Sequence, residues 1–337
     1  MGGSTRGLRG SGSLQPKEET GGDAWLADPA RSNLAGFPAA ATPGAALADV
    51  RAYRPAEPLQ SHITFFYFVD APGALTDFLY PEWGNVRFPI SGEWTVEVPG
   101  FAPNDPAHAS LFGPTDRHGV IRTAGGKAIG FGMTPIGWHR LVQGPAHLLS
   151  NRAVPLERRL GLDGVALHAA LRDARDDAMA VARLEAELLD RIVRLPPVHR
   201  VVLAVDEALR SRPATVEAFA AAARLTERTL QRVCLATFGF APKRLLRLQR
   251  FLDTLGHVRV AVGERVSGAL TDDYYDAAHF YRDFRDFMTM SPRTYFAAPR
   301  PLMGPAAAAQ MAAGITLSFR LPPQPGRSIA PPEHKPR

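Results

Sequence analysis

The chain has 337 residues, 45% of them hydrophobic and 21% charged. That is enough for two domains at roughly 100–200 residues each, and too apolar for a chain disordered throughout. Net charge is +6 with a pI near 9.7, which permits an anionic partner such as nucleic acid without identifying one. The one cysteine, Cys234, excludes an intramolecular disulfide and a Cys-based zinc site.

Met1 to Gly22 is polar and glycine-rich, so no signal peptide is expected. Arg6 stands where a myristoylated chain needs Ser or Thr. No run approaches the ~18 apolar residues of a membrane helix, so no membrane partner is expected. Residues 1–46 lack periodicity and read as a disordered arm. Proline density over 299–337 predicts a second disordered, Pro/Ala-rich tail.

The body between them opens with strand signals. His62–Val69 is β-branched and aromatic and stops at Asp70-Ala71-Pro72-Gly73; Val86–Ile90, Trp94–Val98, Val120–Thr123 and Lys127–Phe131 follow, each bounded by Gly, Pro or Ser. Short strands with frequent turns predict a β-rich sandwich or barrel over 47–160. From Asp176 to Arg194, Val181, Leu184, Leu188 and Ile192 recur at helical spacing. Residues 161–197 therefore read as a helical linker ending at Leu195-Pro196-Pro197. Its apolar stripe suits either a dimer contact or packing on its own domain.

Residues 198–298 read as helix after helix. Val198–Leu209 is stopped by Ser211-Arg212-Pro213. Thr215 can cap a helix over Val216–Ala223, and Thr226 another over Glu227–Phe238, ended by Gly239. Two capped helices around a short turn form the helix-turn-helix layout. On the second, Leu230, Val233 and Cys234 face inward and Arg228, Gln231 and Arg232 outward, where Arg suits guanine and Gln adenine. The same spacing also suits a solvated face in an ordinary bundle. A helix from Pro242 to Leu255 carries Lys243, Arg244, Arg247 and Arg250 as a basic stripe suited to phosphates. The layout then repeats. Val266, Ala269 and Leu270 precede the turn Asp272–Tyr275, and Asp276 caps Ala277–Phe287, with Phe280, Phe284 and Phe287 buried. Ser291-Pro292 caps a last helix through Tyr295.

The runs Leu225–Arg232 and Phe238–Pro242, followed by Tyr274–Phe287 and Met290-Ser291-Pro292, resemble the two helix-turn-helix motifs of the AraC/XylS family of transcription regulators. The resemblance covers about 100 residues. It implies a cytoplasmic, nucleoid-associated activator whose two recognition helices enter double-stranded DNA. Arg228, Gln231 and Arg232 would contact DNA from the first, and Ala278, His279, Tyr281 and Arg282 from the second. The family usually has Gly at the positions of Arg224, Asp273 and Thr289; a left-handed backbone there would strain Arg224 and Thr289. Ala128–Phe131 through Asn151–Leu156 is similar to the β-rich domain of one subgroup, implying a sensing or oligomerising role. RNA polymerase, a small-molecule effector and a second copy of the chain are the further partners this implies. No cofactor and no enzymatic activity are expected. The fold class is thus α+β, a β-rich N-terminal domain before an all-α double helix-turn-helix.

Other constellations are weaker. His108, His118, His139 and His147 lack metal-cupin spacing and read as scattered surface residues. Trp83, Trp94 and Trp138 suit a pocket or a core, and Asp173, Asp176 and Asp177 a solvated helix face. Two rivals stay open. One is a degenerate helix-turn-helix that binds only protein. The other is a DNA-repair protein using Cys234, which would need an activated thiolate. Charge divides unequally between the two units. Arg224 to Arg250 holds seven basic residues and one acid; Glu264 to Arg293 holds four basic residues and six acids. The first unit and connecting helix are therefore expected to supply most affinity.

Overall fold

The computed structural model describes residues 46–101, 108–142, 144–260 and 277–315. Residues 1–45 and 316–337 lie outside them, as do the predicted short helix at Val266–Leu270, the turn at Asp272–Tyr275 and the cap at Asp276.

The described strands are Asp49–Tyr53 (β1), Ile63–Ala71 (β2), Leu75–Leu79 (β3), Asn85–Ser91 (β4), Trp94–Glu97 (β5), Ser110–Phe112 (β6), Gly119–Thr123 (β7), Gly126–Met133 (β8) and Ala153–Pro155 (β9). They form two antiparallel sheets, one ordered β1-β2-β8-β4-β6-β9 and the other β3-β7-β5. Every predicted strand is present. In β4, Val86 and Phe88 alternate with Asn85 and Arg87, so one face enters a core with Phe66 and Phe131. The other face carries the polar side chains. The Gly125-Gly126 turn before β8 requires glycine. Both have positive φ, and a Cβ on Gly126 would fall 2.1 Å from the Ser91 carbonyl oxygen.

Helices α1 (Pro135–Leu141), α2 (Glu157–Leu160), α3 (Gly164–Arg172) and α4 (Asp177–Arg194) complete this domain. Residues 161–197 are therefore not a linker. Ala180, Leu184, Leu188 and Ile192 of α4 share a core with Val86, Phe131 and Trp138, so the apolar stripe packs on its own domain and offers no dimer face. Asp177 is not solvated either. It accepts from Arg51 Nε at 2.6 Å and Tyr53 Oη at 2.8 Å. Its pKa is held below the usual carboxylate value, these bonds outweighing partial burial.

The helical part runs α5 (Arg200–Arg210), α6 (Val216–Ala223), α7 (Glu227–Phe238), α8 (Pro242–Val260), α9 (Ala277–Met288) and α10 (Pro292–Ala297). The predicted caps form: Thr215 accepts from Ala218 N, Thr226 from Thr229 N and Ser291 from Thr294 N. α8 continues past Gly256, where the sequence predicted its end. Arg224 and Thr289 do take positive φ, 55° and 50°.

The helical core is not closed by helices alone. Tyr80 and Trp83, from the β3–β4 connection, belong to it beside Phe238, Phe284 and Tyr295. The Trp83 and Phe238 rings meet edge to face at 5.7 Å.

A last helix, α11 (Met303–Ala312), occupies part of the tail expected to be disordered. Pro305 falls in its first turn, where no intrahelical N–H bond is lost. Past it, residues 306–321 contain no proline. Among the described residues no helix is long and apolar enough to cross a membrane.

Candidate nucleic-acid interface and a cavity

α7 presents the surface its sequence predicts. Leu230, Cys234 and Phe238 are fully buried, while Arg228, Gln231 and Arg232 are exposed on the opposite side. Thr226 and the left-handed Gly239 fix its two ends. In α9, Phe280, Phe284 and Phe287 are buried around Phe251 of α8. Ala278 and Arg282 are exposed. His279 and Tyr281 are only partly accessible, Tyr281 packing against the helical core. His279 lies 3.5 Å from Arg250 and 4.0 Å from Asp283.

The basic stripe of α8 differs from its prediction. Lys243 is exposed, but Arg247 donates to Asp283 at 2.6 Å and to Asp286 at 2.9 Å. Arg244 reaches Asp286 and, across the domain boundary, Asp116 Oδ2 at 2.7 Å. Its guanidinium also lies over the Phe287 ring at 4.1 Å. Three acids thus neutralise part of the stripe. The sequence placed Asp283 and Asp286 on α9 as charges opposing DNA, when their partners stand on α8.

The same boundary holds other groups. His118, expected at the surface, is buried; its backbone N–H donates to Phe287 O at 2.9 Å, and its Nδ1 lies 3.2 Å from Thr289 Oγ1. Burial lowers its pKa to about 4. Asn151 brackets Asp116, donating to Oδ1 at 2.8 Å and accepting from its backbone N–H at 3.1 Å. Ser150 donates to Gly239 O at 3.0 Å.

A cavity of about 520 Å³ lies in the β-rich domain, within the usual range of roughly 300–1,000 Å³ for ligand pockets. Both sheets and α11 line it. Trp83 and Trp94 contribute to the wall, whereas Trp138 fills the core. Its polar groups are linked. Tyr67 Oη donates to Asn85 Oδ1 at 2.7 Å, Asn85 Nδ2 to Glu82 Oε2 at 3.3 Å, and Arg87 Nη2 to Glu82 Oε1. Gly130 leaves room for this group, since a Cβ there would fall 2.2 Å from Tyr67 Oη. Sequence reasoning missed these residues. Asn85 and Arg87 alternate with Val86 and Phe88 as a solvent-facing edge would; the second sheet and α11 cover that face instead.

Cys234 sits inside the helical core, and burial pushes its thiol up to about 12. Among the described residues no His, Cys, Asp or Glu cluster could hold a metal ion.

No protein-family model and no curated protein matches the sequence. Among solved structures, the chain is similar to ToxT from Vibrio cholerae, with a TM-score of 0.40 at 8% identity over 66% of this chain and 98% of that one. An apo ToxT variant from the same organism gives 0.38 at 8% identity, over 75% and 97%. Wild-type ToxT bound to an unsaturated fatty acid gives 0.35 at 8% identity, over 75% and 95%.

Proposed function

We propose that the chain is a transcription regulator that binds double-stranded DNA through α7 and α9 and responds to a small molecule through its β-rich domain. The observation that carries the reading is the pair of helices with buried apolar backs and exposed arginines on their outer faces. They present Arg228, Gln231 and Arg232 on one, and Ala278 and Arg282 on the other, and α8 joins the two. Exposed Arg and Gln on a helix of this width suit base edges in a major groove. Lys243 is the phosphate contact on α8, and Arg244 and Arg247 brace the helices. Such a regulator works in the cytoplasm on the nucleoid, with RNA polymerase or a second copy as its protein partners, and has no catalytic step. The burial of Cys234 supports that last point.

A gel-shift of the full chain against DNA upstream of its own gene tests the reading. Sequence-selective binding that weakens steeply with salt is expected. Absence of any DNA binding favours the rival in which the same helices hold a protein.

A further inference from the structure

The cavity in the β-rich domain is closed on one side by a helix that follows the second proposed recognition unit. Met303, Ala306, Ala307 and Gln310 of α11 line it, spaced as one helix face. None of the residues of α11 is fully buried. Polar contacts fasten the helix at both ends instead. Asp77 Oδ2 accepts from Leu302 N at 2.8 Å and Met303 N at 2.7 Å. Arg54 donates to Ala313 O at 2.8 Å and also to Gly314 O. Met303 packs against both the helical core and the small core between the two sheets. It therefore touches the cavity and both domains.

The polar cluster in the wall selects the ligand class. Arg87 lines the cavity, and its guanidinium lies 4.3 Å over the Phe112 ring. A guanidinium in the wall, which has donors and no acceptor, favours a ligand that brings an acceptor. The charge of Arg87 is already balanced by Glu82. Arg54 and Glu93 also line the cavity, so its wall holds two charges of each sign; a carboxylate ligand would add one uncompensated negative charge, whereas a carbonyl oxygen accepts a hydrogen bond and adds none.

We infer that the cavity takes an uncharged, mainly apolar molecule carrying one hydrogen-bond acceptor for Arg87, and that α11 is the wall through which its presence reaches the helical domain. The ligand assignment stands independently of DNA binding; only the relay rests on that reading.

The test uses the full chain and two ten-carbon probes, 2-decanone and decanoate, titrated by the fluorescence of Trp83 and Trp94 in the cavity wall. The ketone is expected to bind saturably, roughly tenfold or more tighter than the acid. Amide exchange over 303–314 is expected to slow when it binds. Ala306→Phe fills the cavity from α11 and is expected to weaken the ketone roughly tenfold with an unchanged helical circular-dichroism spectrum. Arg87→Met with Glu82→Leu removes the charge pair together and is expected to abolish the preference for the ketone. No saturable ketone binding, or equal or tighter decanoate binding, overturns the ligand class. Unchanged affinity in Ala306→Phe, or unchanged exchange over 303–314, overturns the role of α11. Ketone binding that leaves a measurable gel-shift unaltered overturns the relay alone.

Discussion

Arg244 of α8 and Asp116 of the β-rich domain meet at 2.7 Å across 128 residues of sequence. This turns a residue predicted to hold phosphate into a brace between domains. Asp116 is itself fixed by Asn151 on its other oxygen, so the pair is geometrically set and partly shielded from water.

Arg244→Ala is accordingly expected to lower unfolding stability by about 1–3 kcal/mol, by removing the cation that pairs with the buried Asp116. Its effect on DNA affinity is expected to be smaller than that of Arg232→Ala. The latter should cost roughly 1–3 kcal/mol of binding on one preferred base and little stability. Denaturant melts beside gel-shifts at one salt concentration check both halves. Equal affinity losses without a stability loss in Arg244→Ala would return that residue to the DNA surface.

Trp83 lies in the helical core although it comes from the β-rich domain. Trp83→Ala is expected to cost about 3–5 kcal/mol and to loosen the helical half as well as the sheet. A fragment of residues 198–298 loses Tyr80 and Trp83 together. It should melt with little cooperativity and bind a hydrophobic dye. A sharp melting transition in that fragment would show that its core closes without them.

His62 and His118 are both held neutral, with pKa values of about 4 against an ordinary 6.5. Burial is the main cause in each, and the charge of Arg140 adds to it at His62. The unfolded chain binds these protons first, so stability is unaffected above pH 6.5 and falls as pH drops from 6.5 towards 4. The full loss is roughly 3 kcal/mol for each imidazole. Melts between pH 4.5 and 7 should show the slope, and His118→Gln should reduce it. An identical slope in the variant would place the dependence elsewhere.

Asp77 is buried and holds the first two backbone N–H groups of the α11 segment. Asp77→Ala should speed amide exchange over 301–314 with little change in α7. Burial of Cys234 in turn predicts that a thiol reagent at pH 8 labels the native chain only as fast as it unfolds.

The local features of the helical half were legible in the sequence, because caps and helix faces are short-range devices. Thr215, Thr226, Ser291 and Gly239 stand beside the groups they satisfy, and Leu230, Cys234 and Phe238 repeat at the period of the helix they build. The core of β2, β4 and β8 was legible for the same reason: aromatic and β-branched runs declare themselves. What only the tertiary structure decided concerns partners far apart in the chain. Asp283 and Asp286 count as negative charge until α8 is laid beside them. Asn85 and Arg87 have a solvent-facing pattern until a second sheet and α11 cover them. Tyr80 and Trp83 sit in a connection between strands and complete a core formed more than 100 residues later. Periodicity records which side of an element is apolar; which element covers the other side depends on long-range packing, and no local spacing encodes it.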